Sequence, residues 1–197
     1  GDLEGPGSGT PRGIYIWRAP STPAGVLLPT LYMADGRAGW YVAAARLRGA
    51  IEAGTAPPIQ IIGLDPDFDA RNRTSEYTDV GRARFRAHER WLLDTVIPWA
   101  ERVARASPQQ RVIGGYSNGA AFALFMGARH PDVFAGVLAH SPVATAETFH
   151  VDARAGGVRW ALSAGRFEYS GYPARAISVV EAVVHTEGAA VRSCTGD

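Results

Sequence analysis

Short apolar runs alternate with stretches of helical periodicity along this chain. Segments of strand character lie at 13–17, 26–33, 59–64, 111–114, 135–140, 158–164 and 189–193. Apolar residues three to four positions apart predict helices over 40–53, 81–106, 120–129 and 173–185, with a kink at Pro98. Buried-type strands that alternate with helices predict an α/β fold with a mostly parallel central sheet and helices on both faces.

The predicted elements form a single domain over residues 13–197, because no linker or internal repeat divides them. A length of 197 residues suits one domain. Residues 1–12 are rich in Gly and Pro and are predicted to be a disordered or artificial lead. Residues 65–79 contain four Asp and are predicted to be a polar loop. No targeting segment is recognisable, so a cytoplasmic and a secreted location both stay open.

Composition narrows the class of protein. The net charge is +1, from 20 basic and 19 acidic residues, so no nucleic-acid partner is predicted. Every basic residue is Arg, which excludes chemistry that needs a lysine Schiff base. The single cysteine, Cys194, excludes an internal disulfide and a Cys-rich zinc site. No apolar run approaches the length of a membrane span, and no cofactor or metal is predicted.

One motif carries specific chemistry. Gly115-Tyr-Ser117-Asn-Gly119 follows a predicted strand and precedes a predicted helix. A serine at such a sharp strand-to-helix corner needs a strained backbone and small neighbours, and the helix N-terminus favours a developing oxyanion. The pattern therefore indicates a nucleophilic serine. The alternatives are a tight glycine turn or a phosphate loop, but neither a Walker lysine nor Gly-x-Gly-x-x-Gly accompanies the motif.

A second segment, Asp65-Pro-Asp67-Phe-Asp69, presents oxygen-rich side chains like those of a cation loop. It lacks the central Gly and terminal Glu of an EF-hand, so a solvated loop is favoured. Three aromatic residues, Trp40, Tyr77 and Tyr116, are candidates either for an acyl pocket or for ordinary packing.

Six segments in order resemble the esterase D and enterochelin-esterase group of α/β-hydrolases, which includes the antigen-85 mycolyltransferases. They are Leu31-Tyr-Met-Ala-Asp-Gly36, Arg73-Thr-Ser-Glu-Tyr77, Phe85 with Ile97-Pro98, Gly115-Tyr-Ser-Asn-Gly119, His130-Pro-Asp-Val-Phe134 and Gly165-Arg-Phe-Glu168. The resemblance implies an α/β-hydrolase fold and a small-molecule ester as substrate.

The resemblance also implies roles for individual residues. Ser117 would be the nucleophile and Glu168 the acid that orients an imidazole, with Asp65 or Asp197 as its substitutes. The backbone N–H groups of Asn118 and Arg37 would hold the oxyanion. The residues expected to contact substrate are Asp35, Gly36, Trp40 and Tyr116.

The general base is the main departure from this family. The resemblance places a histidine just beyond Asp197, and a closing helix after it, so a truncated C-terminal end is expected. A non-catalytic pseudo-esterase and a base donated by another chain are the alternatives. Of the five histidines, His140 ends a strand near the proposed site but would break the usual chain order. The others, expected in packing, surface, loop or helix-end positions, are His88, His130, His150 and His185.

The sequence thus predicts a serine carboxylester hydrolase that forms an acyl-enzyme on Ser117. An acyltransferase that uses the same site and a non-catalytic binding protein are the alternatives. The sequence leaves the ester and the oligomeric state open.

Overall fold

The computed structural model divides into two compact units, Gly1–Arg111 and Val112–Asp197. The residues that it describes are 2–6, 11–20, 22–144, 149, 156–165, 178–179 and 190–196. Among these residues, no helix is both long and apolar enough to cross a bilayer.

The first unit is a small mixed sheet with helices. Its elements are β1 (Asp2–Leu3), β2 (Arg12–Arg18), β3 (Leu28–Ala34), α1 (Gly36–Glu52), β4 (Gln60–Leu64), α2 (Ala70–Thr78), α3 (Ala83–Arg90), a π-helical segment (Trp91–Val96), α4 (Ile97–Val103) and the start of β5 (Ala106–Tyr116). The strands lie in the order β1-β2-β4-β3. Strand β3 runs parallel to β4, whereas β2 runs antiparallel to both of its neighbours. All five residues of β4 are buried, as its apolar sequence predicts.

Residues 2–6 of the N-terminal lead are described, and they contact the rest of the first unit. Strand β1 pairs with the start of β2, with Asp2 opposite Gly13 and Leu3 opposite Arg12. The indole N–H of Trp91 donates to the carbonyl of Glu4 at 2.6 Å. Backbone pairing and this hydrogen bond hold the lead, and neither of them leaves a hydrophobic pattern in the sequence.

The segment predicted as a polar loop, 65–79, contains helix α2. The Asp69 carboxylate caps this helix by accepting from the N–H groups of Arg71 and Asn72, both at 3.0 Å. The two residues of the helix that are buried are Glu76 and Tyr77. Because it buries one carboxylate and one phenol, α2 lacks the apolar stripe from which a helix is predicted.

The helix predicted over 81–106 is broken into α3, the π-helical segment and α4. Pro98 has no N–H to donate, and a proline ring crowds the carbonyl four residues earlier, here that of Asp94. The helical turn just before Pro98 is therefore wider than an α-helical turn. The predicted disturbance at Pro98 is therefore present as a π-helical turn. The helical run ends at Val103, and Arg105 at φ 56° leads into β5.

The described part of the second unit is a parallel sheet with the buried helix α5. Its elements are β5, α5 (Asn118–Arg129), β6 (Gly136–His140), β7 (Arg159–Gly165) and β8 (Ala190–Gly196). The strands lie side by side in chain order, and each pairs in parallel with the next. The largest buried side chains of this unit are Phe122, Phe134, Phe149 and Trp160. The helix predicted over 173–185 lies outside the described residues except for 178–179, which are helical.

Candidate active site

Ser117 lies at the corner between β5 and α5, with φ 56° and ψ −119°. This is a region that non-glycine residues rarely adopt. A Cβ on Gly115 would clash with the backbone of Gly119, so the strand and the helix approach each other as closely as a glycine allows. Ala120 is fully buried at the same contact. The small residues of the motif therefore make the corner sterically possible.

Backbone hydrogen bonds hold the corner on both sides. The Ser117 N–H donates to the carbonyl of His140 on β6 at 3.0 Å. The Ser117 carbonyl accepts from the Ala121 N–H at 3.1 Å and starts the hydrogen-bond ladder of α5. Asn118 is the first residue of this helix. The first N–H groups of a helix have no acceptor within the helix, and the helix dipole is positive at this end. The Ser117 side chain is half-buried beside these groups.

Three side chains form a row across the neighbouring strands. In register, Tyr116 lies opposite His140, and His140 lies opposite Ser163. His140 Nδ1 is 2.7 Å from Ser163 Oγ, and the His140 ring lies 5.2 Å from the ring of Tyr116. Tyr116, predicted to contact substrate, is 51% exposed. The imidazole of His140 is thus oriented by Ser163 and Tyr116.

Several predicted residues cannot be placed. Glu168, His150, His185 and Asp197 lie outside the described residues, although β7 ends three residues before Glu168. Trp40 belongs to α1, but its side chain also lies outside the described part of the structure. His130 occupies the C-cap of α5, the helix-end position predicted for it.

The Asp35–Arg37 turn joins β3 to α1 in the first unit. Asp35 has φ 58° and ψ 46°, in the left-handed region. Arg73 donates to both of its carboxylate oxygens at 2.6 Å, and the Asp35 N–H donates to the hydroxyl of Tyr77 at 3.1 Å. A Cβ on Gly36 would clash with the backbone of β4. Arg73 and Tyr77 of the Arg-x-x-Glu-Tyr segment therefore hold this turn.

The Arg37 N–H, predicted to hold an oxyanion, donates to Asp65 Oδ1 at 3.0 Å. The Arg37 side chain reaches the same carboxylate at 3.2 Å and the Tyr15 hydroxyl at 2.9 Å. The hydrogen bond with Tyr15 and then the charge of Asp65 raise the pKa of Arg37. Asp65 is fully buried, follows directly after β4 and also accepts from Tyr15 at 3.1 Å. From the sequence, Asp65 is a candidate cation ligand or a substitute acid, and no local pattern predicts its pairing with Arg37.

The other two carboxylates of the candidate cation loop also have protein partners. Asp67 lies 3.5 Å from Arg12 and 3.7 Å from Arg84, and it accepts from Asn72 at 3.2 Å. Burial alone would raise the pKa of Asp67, but the Asp69 N–H and these charges hold it below its ordinary value. Asp69 caps α2. Among the described residues, no group of three or more His, Cys, Asp or Glu side chains could hold a metal ion.

Glu76 and His88 lie beneath this loop. Glu76 accepts from Arg12 and from the Asp67 N–H, each at 2.8 Å. Burial nevertheless raises the pKa of Glu76. His88 is fully buried against Tyr77 and Trp91, and burial, followed by the charge of Arg12, lowers its pKa to about 3. His88 Nδ1 lies 3.7 Å from Glu76, but the imidazole is neutral at pH 7, so this contact is not an ion pair. The packing role predicted for His88 is confirmed.

Residues 9–173 match the family model of the putative esterases. This match covers well over half of the chain, so the chain belongs to the putative esterase family. The family resemblance predicted from the six ordered segments is confirmed.

Solved structures show the same fold. The chain aligns with the BES protein from Bacillus cereus at 13% identity and a TM-score of 0.81, covering 100% of this chain and 85% of that one. A ferulic acid esterase aligns at 18% identity and 0.79, covering 100% and 89%. The enterobactin esterase FES from Shigella flexneri aligns at 19% and 0.77, covering 99% of this chain but 53% of that one. No curated protein sequence matches this chain. The predicted α/β-hydrolase fold is confirmed, and family and fold together define an esterase-type hydrolase.

Proposed function

We propose that this esterase is a serine carboxylester hydrolase that acts through an acyl-enzyme on Ser117. The observation that carries the proposal is the backbone of Ser117, whose φ of 56° at the β5–α5 corner requires Gly115 beside it. A purely structural turn would use glycine at a positive φ, because glycine adopts it without strain. A serine at that position is best explained by a need for its hydroxyl.

In the proposed reaction, Ser117 Oγ attacks the carbonyl carbon of the ester and transfers its proton to a general base. The tetrahedral intermediate then collapses and its alkoxide leaving group accepts this proton from the base. The alcohol departs, and the acyl group stays on Ser117. Water repeats the sequence, releases the carboxylic acid and restores the serine. Glu168 is the proposed acid that orients the base and stabilises its charged form.

The developing oxyanion needs two hydrogen-bond donors. The Asn118 N–H, at the positive end of α5, is proposed as the first donor. The family resemblance gives the Arg37 N–H as the second donor, and in the structure this N–H donates to Asp65 Oδ1. Removal of one such donor typically costs about 10²- to 10³-fold in kcat.

The general base is proposed to be a histidine beyond Asp197, where the family resemblance places it. His140 is the alternative within the chain, although it departs from the usual chain order of triad residues; its Nδ1 is hydrogen-bonded to Ser163 and its ring contacts Tyr116. His140→Gln therefore distinguishes the two bases, because it preserves a polar side chain and removes the imidazole. We expect it to leave most of the activity of a protein that extends through the proposed histidine.

The test is covalent labelling of that extended protein with a fluorophosphonate, followed by mass spectrometry. We expect an adduct on Ser117, and a loss of about 10⁴-fold or more in kcat/KM for p-nitrophenyl acetate in Ser117→Ala. Ser75→Ala, a serine on α2, is the matched control and is expected to keep full activity. An extended protein that takes no label and hydrolyses no ester would instead be the non-catalytic binding protein.

Acyl transfer uses the same acyl-enzyme, with an alcohol or sugar in place of water. Turnover measured with and without alcohol acceptors separates the two reactions. The hydrolase proposal predicts a rate that is independent of the acceptor, whereas an acyltransferase would require one.

A further inference from the structure

A pocket of about 200 Å³ lies within the first unit, next to the Asp35–Arg37 turn. Carbon atoms make up most of the surface that faces it, and the residues around it are Asp35, Arg37, Asp65, Pro66, Asp67, Phe68 and Arg73. Two of these side chains reach far into solvent, since Arg37 and Phe68 are each 63% exposed. The Arg37 guanidinium carbon lies 4.4 Å from the centre of the Phe68 ring. One wall of the pocket is therefore a stacked guanidinium and phenyl ring, which is a flat surface.

The walls are fixed from behind. Arg37 is held by Asp65, which is fully buried, and by Tyr15. The loop that carries Phe68 is anchored by the Asp67 N–H, which donates to the buried carboxylate of Glu76 at 2.8 Å. A pocket with such supports is largely formed before a ligand arrives, so little ordering free energy opposes binding.

The charges around the pocket compensate one another. Three carboxylates and two guanidinium groups line it, and every carboxylate already has an arginine partner. Arg73 pairs with Asp35, Arg37 pairs with Asp65, and Arg12 and Arg84 approach Asp67 from outside the lining. An anionic ligand would lose its hydration and meet no unpaired cation. A cationic ligand would meet carboxylates whose charges are already compensated.

We propose that this pocket binds an uncharged planar group on the Arg37–Phe68 surface and discriminates against an anionic group of the same shape. The flat stacked wall and the compensated charges together define this specificity. The binding itself does not depend on catalysis.

The experiment measures binding of three probes of matched shape by ligand-observed NMR titration. Benzamide is neutral, benzoate is an anion and benzamidine is a cation. The titrations use the Ser117→Ala protein, so that the result is independent of turnover. We expect benzamide to bind about tenfold more tightly than either charged probe, because only the neutral group avoids an uncompensated desolvation cost. Equal or tighter binding of benzoate or benzamidine, or no binding of benzamide, would overturn the proposal.

Two further variants and one control locate the site. Phe68→Ala should weaken benzamide binding about tenfold by removing half of the stacked wall. Val103→Ala, which truncates a similarly exposed apolar residue on α4, should leave the binding unchanged. Asp67→Asn removes one negative charge from the lining. The affinity for benzoate, relative to that for benzamide, should therefore rise about threefold. Unchanged benzamide affinity in Phe68→Ala, or an unchanged ratio in Asp67→Asn, would reject the site. Failure of the fluorophosphonate experiment with retained benzamide binding would reject the proposed function alone.

Discussion

Two residues of this protein, one in each unit, have nearly the same positive φ but different ψ: Asp35 is left-handed helical at ψ 46°, and Ser117 is at ψ −119°. Asp35 has φ 58° and Ser117 has φ 56°, and each joins the end of a parallel strand to the start of a helix. The turn at Asp35 is held by side-chain hydrogen bonds, because Arg73 donates to its carboxylate and its N–H donates to the Tyr77 hydroxyl, in addition to the close approach of Gly36 to β4. The corner at Ser117 is held by backbone hydrogen bonds and by close packing, because Gly115 brings the strand against the helix.

The difference shows what each means of support allows. Polar support needs partners that are distant in the sequence, and Arg73 is 38 residues from Asp35. Steric support needs only small neighbours, and the motif supplies them within five residues. The stability of the polar Asp35 turn should depend on its charged groups and on pH. The stability of the close-packed Ser117 corner should depend on added side-chain volume. Three changes test this comparison.

The largest expected effect comes from added volume at the Ser117 corner. Gly115→Ala places a Cβ against the backbone of Gly119, which cannot move without shifting α5. We expect a loss of about 3 kcal/mol or more in the free energy of unfolding, measured by denaturant titration. Gly49→Ala is the matched control, since its Cβ would meet nothing within 4 Å on α1. That control should be neutral or stabilise by up to about 1 kcal/mol. A Gly115→Ala protein as stable as Gly49→Ala would show that packing does not hold the corner.

The next effect comes from removal of the guanidinium at the Asp35 turn. Arg73→Ala leaves the carboxylate of Asp35, 16% exposed, without its bidentate partner. We expect about 2 kcal/mol of destabilisation, less than for a fully buried pair because water reaches both groups. Arg71→Ala, an exposed arginine on the same helix, should change stability by less than about 0.5 kcal/mol. If the two variants lose the same stability, the ion pair is not what holds the turn.

The smallest effect is a pH dependence in the first unit. The pKa of His88 is lowered to about 3, so its contribution to stability is complete above the unfolded value near 6.5 and falls as the pH decreases towards 3. Between pH 7 and pH 5.5 we expect the wild type to lose roughly 1 kcal/mol more than His88→Leu. The charged groups near this imidazole are Glu76 and Arg12, which are present in both proteins. Parallel stability curves for the two proteins would contradict the assignment.

The sequence predicts the strands and the Ser117 corner well, because both depend on local patterns. An apolar run such as 59–64 is sufficient to predict a buried strand, and β4 forms over Gln60–Leu64. The Ser117 corner follows from glycines two residues on either side of Ser117. Helix α2 was missed because it depends on the Asp69 cap and on burial of Glu76 beside Arg12, a residue 64 positions away.

The candidate site could be predicted only in part, for the same reason. The Asp35–Gly36 turn is visible as a pair of turn residues, but its contact with Arg73 is not. The bond between the Arg37 N–H and Asp65 also joins residues 28 apart on different elements. No local spacing encodes such a contact, so the charge compensation around Arg37 emerges only from the fold.

The strand order has a consequence for synthesis on the ribosome. In the second unit β5, β6, β7 and β8 are neighbours in the order in which they are translated. Each new strand can therefore add to the free edge left by the strand made just before it. In the first unit, β2 and β3 are both synthesised before β4, and each of them pairs with β4. Neither strand can therefore form this pairing until β4 has emerged from the ribosome. Synthesis from the N-terminus thus favours strand-by-strand growth of the sheet in the second unit, whereas the sheet of the first unit forms only after β4 has been made.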